Sequence, residues 1–443
     1  MYKKTLSFGI MLVLVVSLFL AGCGAGENAG ESADSEASSE PGEEAKTMKL
    51  MHLWPAGSSK QHNEIVSNII EEYEAEHPNV SIETEILENE QYKEKLKVLS
   101  ASNELPDVGM TWAAGFLEPY VDGNMFAPLD DVVENIGQDQ FVPGTTEAYA
   151  VDGTTYGLPL ELNITPVYYN KKIFEEYDLD VPETYDQLKD VIQTLADNGV
   201  TPVTLGNKDR WTGSMWYMYL ADRIGGPETI TNAINRTISF EDPALIEAAE
   251  EIQNLVDMGA FVKGFNGLSN DEAKGYFLNE QAAMYLMATW ELPNFTTNED
   301  VPQEFRDSVG FFKFPIVEGG KGDIDSYVGG PGVGLFVAEN SPVKEEAKDF
   351  VSFFVEKWGE QSVTKAGVIP ATKVDTSNTD LPQMYIDILN ELNNATNITL
   401  YADVQMSPSA AQVHLDMIQS LFGKETTPED FAKVQEQALD EEQ

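Results

Sequence analysis

Strand-like and helix-like apolar patterns alternate at the start of the folded part of this 443-residue chain. Residues 48–54 form a nearly continuous apolar run, and residues 80–87 alternate apolar and polar side chains, as strands do. Residues 65–73 and 91–102 repeat apolar side chains at helical spacing, and a short strand is predicted at residues 105–108. This β-α-β-α-β order predicts an α/β fold in which a mainly parallel sheet is flanked by helices.

The rest of the chain contains both kinds of element, without an internal repeat or a second long linker. Strands are predicted at residues 165–170, 203–205 and 282–288, and helices at residues 185–198, 214–223, 244–259 and 342–358. A chain of this length is too long for one small core and fits two lobes. We expect the lobes to share the chain through several crossings, one of them the glycine-rich apolar segment 328–338.

The first 23 residues have the pattern of an export signal. Lys3 and Lys4 precede the apolar run 6–20, which is short for a membrane span and is followed by small residues, so residues 1–22 are predicted to be a signal peptide. The run ends in Leu20-Ala21-Gly22-Cys23, which resembles the bacterial lipobox, where the cysteine is lipidated and becomes the new N-terminus. Cys23 is therefore the predicted lipidation site, with an ordinary signal peptide and a buried cysteine as the alternative. Such an anchor would hold a soluble domain at the extracellular face of the cytoplasmic membrane.

Residues 23–47, the cysteine and the segment after it, join this signal to the folded part. They are rich in Gly, Ala, Ser and Glu and contain no aromatic residue. Such a segment cannot bury enough apolar surface to offset its chain entropy. We expect a disordered acidic tether.

The composition of the chain excludes several classes of protein. Lys and Arg total 27 against 75 Asp and Glu, which gives a formal net charge of −48. A surface this acidic repels phosphate backbones and anionic lipids, so no nucleic-acid partner is expected. The one cysteine cannot form an internal disulfide, a zinc ribbon or an iron–sulfur site, and the four histidines stand in no metal-ligand spacing. We expect no metal and no cofactor.

Two neighbouring motifs carry a more specific signal: Val167-Tyr168-Tyr169-Asn170-Lys171-Lys172-Ile173-Phe174 and Pro182-Glu183-Thr184-Tyr185-Asp186-Gln187-Leu188. Supporting pieces are Leu105-Pro106-Asp107-Val108 with Trp112, and residues 283–290, 347–351 and 367–371. In this order behind a lipobox-like sequence, they resemble the family 1 extracellular solute-binding proteins of ABC importers, the maltodextrin-binding group among them. Residues 161–166 depart from the small-residue pattern usual in that family.

The resemblance implies a two-lobed periplasmic-binding-protein-like fold of type II that closes on its ligand about a hinge. Residues 48–158 and 328–372 would form an N-terminal lobe, and residues 159–327 and 373–443 a C-terminal lobe. Members of the family mostly bind mono- or oligosaccharides and deliver them to a membrane permease. The chain has no P-loop pattern, so the ATPase would be a separate protein. We expect a monomeric binding protein that is not an enzyme.

A saccharide site needs flat aromatic platforms for the C–H faces of the sugar and planar groups that hydrogen-bond its hydroxyls. Four tryptophans stand beside predicted loops or strand ends and are the candidate platforms: Trp54, Trp112, Trp211 and Trp290. Burial in a lobe core is the alternative for Trp112 and Trp290, and Trp54 could instead seal the first helix. Trp216 and Trp358 lie on apolar helical faces and are assigned to the core.

The candidate polar contacts lie on or near the predicted crossings. Glu161 and Asn163 belong to the first crossing, from which both sides of a cleft are within reach, although either side chain could instead bond the backbone at the hinge. Glu291 follows Trp290, and Asp107 could contact ligand or cap a turn after Pro106. At the second crossing, Tyr327 is a candidate contact, and the residues assigned to the hinge are Gly329 and Gly330, since glycine permits close approach and unusual backbone angles.

Three other interpretations stay open at this point. A secreted glycoside hydrolase would use two carboxylates, but among 75 acidic residues a pair occurs by chance. An adhesive surface lipoprotein would show no change in domain angle with any small ligand. The same fold could also bind a peptide, a polyol or a metal chelate.

Overall fold

Strands and helices alternate through the computed structural model, which describes residues 44–377 and 379–441. The predicted signal peptide 1–22, Cys23 and most of the predicted tether 23–47 lie outside the described residues. The predicted end of the tether is wrong, because the first strand already begins at Lys46. No helix within the described ranges has the length and apolar character that a membrane span requires.

The elements have the following bounds. The strands are β1 (Lys46–His52), β2 (Val80–Ile86), β3 (Val108–Thr111), β4 (Ala150–Val151), β5 (Thr154–Thr155), β6 (Leu158–Pro159), β7 (Leu162–Ile164), β8 (Val167–Asn170), β9 (Thr201–Thr204), β10 (Ala282–Leu286), β11 (Val309–Phe312), β12 (Ser326–Pro331), β13 (Gly334–Val337) and β14 (Asn397–Thr399). The helices are α1 (Lys60–Glu76), α2 (Asn89–Ser102), α3 (Glu118–Asp122), α4 (Asp130–Ile136), α5 (Lys171–Glu176), α6 (Tyr185–Asp197), α7 (Trp211–Gly225), α8 (Thr229–Ile234), α9 (Pro243–Asp257), α10 (Asn270–Leu278), α11 (Leu292–Phe295), α12 (Gln303–Ser308), α13 (Lys344–Gln361), α14 (Gln383–Asn394), α15 (Ala402–Gln405), α16 (Pro408–Phe422) and α17 (Pro428–Asp440).

The first sheet has the strand order β2-β1-β3-β13-β6. Strand β1 pairs in parallel with β2 along its whole length and with β3 on its other side, which confirms the predicted β-α-β-α-β unit. Helix α1 covers this sheet because it buries Ile65, Val66 and Ile69 on one face, at helical spacing. Strand β13 pairs antiparallel with β3, and β6 pairs antiparallel with β13, so that β6 runs in the same direction as the first three strands.

The second sheet has the strand order β11-β8-β10-β9 and corrects one prediction. Only β9 and β10 pair in parallel, whereas β8 lies antiparallel to both β10 and β11, so neither sheet as a whole is simply parallel. Strand β8 enters this sheet directly from β7, and its neighbours β10 and β11 come much later in the chain, so no short β-α-β connection sets its direction relative to them. The predicted α/β class holds, with mixed sheets.

Two short strands that lie side by side connect the two sheets. Strand β7 runs from the end of β6 in the first sheet to β8 in the second, and β12 runs from β11 back to β13. They pair antiparallel, and β14 extends β12 on its other edge. The predicted single strand 328–338 is thus two strands, interrupted at Gly332 and Val333. We call β7 and β12 the crossing strands.

The crossing strands approach each other closely at glycine. A Cβ atom on Gly329 would overlap the backbone oxygen of Asn163, and Gly330 has a φ of +124°, a value that favours glycine. The lobe boundaries and the hinge role of these glycines stay predictions. The two tryptophans assigned to the core, Trp216 and Trp358, are each 1% exposed, which confirms that assignment.

We expect Gly329→Ala to lower the free energy of unfolding by about 1–3 kcal/mol, the usual cost of overpacking, because the added methyl group meets paired backbone that cannot move aside. The matched control is Gly275→Ala on α10, where an added Cβ would have nothing within 4 Å. That variant should gain about 0.5–1 kcal/mol, since alanine favours helix. Urea unfolding followed by circular dichroism compares the two variants, and equal stabilities would contradict the close approach of the crossing strands.

Candidate ligand-binding cavity

A cavity of about 550 Å³ lies where strands of both sheets end. The residues around it follow the carboxyl ends of β1, β2, β3, β9 and β10, and others lie at β7 and in the loop that follows β12. Ligands in α/β folds bind at this edge of the sheet, and the volume lies within the usual range for small-molecule sites. The elements that form the fold therefore also position this cavity.

The cavity has two walls. The first wall comes from the loops after β1, β2 and β3 and from the start of α2: Trp54, Ser58, Glu88, Glu90, Lys93 and Trp112. The second wall comes from the loops after β9 and β10 and from segments near α7, α10 and α15: Asp209, Trp211, Ser214, Asp271, Lys274, Trp290, Glu291, Tyr401 and Asp403. The segment that enters β7, β7 itself and the loop after β12 supply Glu161, Asn163, Gly332 and Val333.

Seven of the nine predicted contact residues line this cavity, four of them the tryptophans. On the second wall, Trp211 and Trp290 meet edge to face with ring centroids 5.9 Å apart, and Trp290 lies 5.9 Å from Tyr401. On the first wall, the edge-to-face neighbours of Trp112 are Phe116 at 4.9 Å and Tyr92 at 6.2 Å. Packing of this kind fixes the ring planes, so the cavity is bordered by pre-positioned indoles.

Trp54 differs from the other three tryptophans. It is only 5% exposed and stacks on Trp358, with 4.5 Å between centroids and 7° between planes. His62 packs beside it at 5.0 Å. Trp54 therefore joins the loop after β1 to α13 while it borders the cavity.

The first crossing segment supplies the polar floor of the cavity. Glu161 and Asn163 line it, whereas Leu162 between them lines a different cavity, as the alternation of side chains along a strand requires. Asn163 accepts a hydrogen bond from Thr289 Oγ1 at 2.9 Å, and Glu161 Oε1 lies 3.2 Å from His62 Nε2. Glu161 and Asn163 are 3% and 1% exposed, so both are held in fixed positions.

Three donors that border the cavity have no hydrogen-bond partner among the described residues. They are Asn163 Nδ2, Trp211 Nε1 and the Tyr401 hydroxyl. Buried polar atoms of folded proteins almost always have partners, so each exception needs a physical explanation. Binding of a polar molecule or of water at this site is the ordinary one.

The charged residues of the second wall centre on Lys274. Its Nζ atom lies 3.0 Å from Asp271 and 3.2 Å from Glu291, and Asn294 also donates to Glu291 at 2.6 Å. Burial tends to lower the pKa of Lys274, but the two carboxylates raise it by more, so the ammonium stays charged. A capping box between Ser269 and Glu272 starts α10 and thereby places Asp271 and Lys274 at the wall.

Ser214 was missed from the sequence. It lies in the first turn of α7, and its Oγ is 2.7 Å from Nε2 of His414 on α16. Burial lowers the pKa of His414 to about 4, so the imidazole is neutral at ordinary pH. These two residues are 200 positions apart in the chain, and no local pattern connects them.

Lys93, Lys274, Glu88 and Asp209 were also missed. All four follow a strand or begin a helix at the predicted ligand edge, so a systematic search of βα loops for polar residues would have found them. Among 75 acidic residues, however, position in a loop was the only signal for the carboxylates.

Two of the predicted contacts lie away from the cavity. Asp107 accepts from the backbone N–H of Lys49 at 2.7 Å and from Ser341 Oγ at 2.6 Å, and it thereby ties β1 to the segment after β13. Tyr327 on β12 donates to Glu391 at 2.9 Å and is 1% exposed. Both act in the scaffold, because their polar atoms already have partners in the protein.

A second cavity, of about 650 Å³, lies on the other side of the crossing strands. Its lining includes Leu162, Ile369, Leu389 and Leu400 and is mostly apolar. None of the predicted contact residues borders it. The smaller cavity therefore has the chemistry of a polar-ligand site, and the larger one does not.

The model of the bacterial extracellular solute-binding protein family matches residues 56–357. The chain belongs to this family. Membership confirms the prediction of a binding protein rather than an enzyme, and the hydrolase interpretation is set aside.

Related proteins agree with this assignment. An ABC transporter extracellular-binding protein of Pyrococcus horikoshii is 25% identical over 294 residues, which are 65% of this chain and 64% of that protein. The multiple sugar-binding protein of Streptococcus mutans is 25% identical over 304 residues, 66% of this chain and 68% of that protein. The chain thus spans about two thirds of the length of these relatives.

Solved structures confirm the periplasmic-binding-protein-like fold. A structure from work on xylan utilization by the thermophilic bacterium Caldanaerobius polysaccharolyticus has a TM-score of 0.83 and 34% identity, covering 88% of this chain and 99% of that one. A chitin oligosaccharide binding protein also has a TM-score of 0.83, with 24% identity over 90% of this chain and 98% of that one.

The low pKa of His414 makes stability depend on pH. Between about pH 6.5, where an unfolded histidine titrates, and the folded pKa of about 4, only the unfolded chain binds the proton. The contribution of neutral His414 to the free energy of unfolding is thus complete above pH 6.5. It is lost as the pH falls, by up to about 1.4 kcal/mol per pH unit. His414→Gln should reduce this slope, measured by urea unfolding from pH 7.5 to pH 4.5. The value at pH 7.5 controls for lost packing, and parallel curves for the variant and the wild type would refute the prediction.

Proposed function

We propose that the protein captures a sugar or short oligosaccharide in the 550 Å³ cavity and delivers it to the permease of an ABC transporter. The observation that carries this proposal is the combination of indoles on both walls with a buried carboxylate and amide on the crossing segment. A sugar ring presents apolar C–H faces and a polar edge of hydroxyls. The indole rings would pack against the apolar faces, and Glu161 and Asn163 would hydrogen-bond the hydroxyls of the edge.

The names of the relatives support a saccharide. The Streptococcus mutans relative is a multiple sugar-binding protein, and the 34% identical structure comes from work on xylan utilization. Xylo-oligosaccharides are therefore our first candidate ligands. The relation of the Pyrococcus horikoshii protein to ABC transport supports a membrane permease, with a separate ATPase, as the partner.

The proposed mechanism is closure about the crossing strands. The first sheet and its helices would form one lobe and the second sheet the other, with Gly329 and Gly330 at the hinge. In this structure the walls already touch, because Lys274 Nζ lies 3.5 Å from the Ser58 carbonyl oxygen, and outside the cavity Lys60 pairs with Asp300. Ligand that binds both walls would stabilise this closed arrangement relative to an open one, and the permease would recognise the closed form.

We also propose that the mature protein is a monomer anchored through a lipid on Cys23. The lipobox-like sequence 20–23 and the acidic segment after it support this arrangement. A tethered receptor at the extracellular face of the membrane would stay close to its permease while it moves freely above the membrane surface.

A thermal-shift screen of residues 24–443 against a saccharide library tests the function. A ligand present at 100 times its Kd should stabilise the fold by about 2.7 kcal/mol and raise the Tm. The library includes xylotriose, maltotriose and free xylose, with peptides and polyols as the competing classes. A Tm that rises with a peptide or polyol and with no saccharide would overturn the proposal.

Trp112→Ala and Trp290→Ala should each weaken saccharide binding by about 1–3 kcal/mol, the scale of burying a large apolar side chain. Isothermal titration calorimetry measures the loss. The control is Trp216→Phe, a core position outside the cavity, which should lower the Tm and leave the affinity near that of the wild type. An unchanged affinity with a lowered Tm for Trp112→Ala or Trp290→Ala would assign that residue to the core instead.

A further inference from the structure

The charged side chains around the proposed ligand cavity are mostly carboxylates. Seven carboxylates stand against three ammonium groups, an excess of four negative charges. The acidic residues are Glu88, Glu90, Glu161, Asp209, Asp271, Glu291 and Asp403, and the basic ones are Lys93, Lys208 and Lys274.

Two of the three lysines are already engaged within the walls. Lys274 is shared between Asp271 and Glu291, and it is the more buried of the two, with a side chain 12% exposed. Lys93 pairs with Glu90 at 3.4 Å and lies over the ring of Trp112, 4.9 Å from the centroid. These cations balance neighbouring carboxylates, so little of their charge is left for a ligand.

Carboxylates of the two walls also face one another across the cavity. Burial raises the pKa of Glu88, and the negative charge of Asp271 on the opposite wall raises it further. Burial likewise raises the pKa of Asp209, with Glu90 of the first wall and Asp271 adding to the effect. Each raised pKa indicates that a further negative charge in this part of the cavity is unfavourable.

We infer that this cavity selects uncharged saccharides and rejects those that carry a carboxylate or phosphate group. The inference rests on the proposed saccharide function and adds its charge specificity. An anionic branch would meet the facing carboxylates in a confined space where water screens charge poorly, and no uncommitted basic residue on either wall would compensate apart from the exposed Lys208. Neutral hydroxyls carry no such penalty, since carboxylates accept hydrogen bonds from them.

The test compares three ligands of one backbone by isothermal titration calorimetry on residues 24–443. They are xylotriose, xylotriose with a neutral arabinofuranosyl branch, and xylotriose with a methylglucuronosyl branch. The arabinosyl compound controls for the bulk of a branch. We expect the glucuronosyl compound to bind at least tenfold more weakly than the arabinosyl one at low salt, and the difference to shrink at high ionic strength.

Charge-neutralising variants test whether the carboxylates of the cavity cause the weaker binding of the acidic ligand. Glu88→Gln keeps an acceptor for the Ser58 hydroxyl but removes one charge from the first wall, so the ratio of neutral to acidic affinity should fall at least threefold. Glu134→Gln makes the same change at an exposed position on α4 outside the cavity and should leave the ratio as in the wild type.

The outcomes separate the two proposals. Equal or tighter binding of the glucuronosyl compound overturns the charge selectivity and leaves the saccharide function standing. Equal effects of Glu88→Gln and Glu134→Gln overturn the role of the cavity carboxylates. If the thermal-shift screen selects maltotriose, the neutral and acidic ligands to compare become maltotriose and its terminal uronate. If no saccharide binds, the proposed function itself fails.

Discussion

The antiparallel pairing of β7 with β12 is the contact on which the rest of the molecule depends. It joins the two sheets, and its register determines which side chains point to each side of the crossing strands. Glu161 and Asn163 point into the polar cavity, and Leu162 points into the apolar one. A shift of one residue in this register would exchange the two faces and place apolar side chains in the polar cavity. The tight approach at Gly329 fixes the register, because no larger residue fits against the Asn163 carbonyl.

The polar cavity concentrates groups that do little for stability. Lys274 between Asp271 and Glu291 is largely removed from water, where desolvation offsets much of the attraction between opposite charges, and the Glu161 carboxylate is also buried. The unpartnered Asn163 and Trp211 donors add to this cost. The compensating stability comes from the aromatic and aliphatic cores that surround both sheets, which include Trp216, Trp358 and the buried face of α1. A site built at the expense of stability is typical of a binding protein.

The sequence predicted the parts of the site that depend on local order. Trp112 follows a buried strand at once, and Trp290 follows another after a short turn, so the edge-of-sheet rule placed both at the cavity. The same reasoning failed for Asp107, because it stands at the other end of β3, where the strand begins. Tyr327 was misplaced because the second crossing breaks at Gly332 and Val333, so the residues that reach the cavity lie after β12 and not at its start.

Other features depend on distant parts of the chain and had no local signal. Ser214 meets His414 only because α16 packs beside α7, and the Trp54–Trp358 stack needs α13 to return to the first sheet after the second crossing. The strand direction in the second sheet is also a consequence of the connections, since period and composition do not distinguish a parallel from an antiparallel neighbour in a short buried strand. The fold class could be predicted from the residues, whereas the pairing of its elements could not.

The position of Lys93 over Trp112 has a geometric consequence. An indole has two flat sides, and an ammonium group 4.9 Å from the centroid occupies one of them. A guest that stacks on Trp112 without displacing Lys93 would therefore use the opposite side, so that this indole offers one platform and cannot be clasped between two guest units.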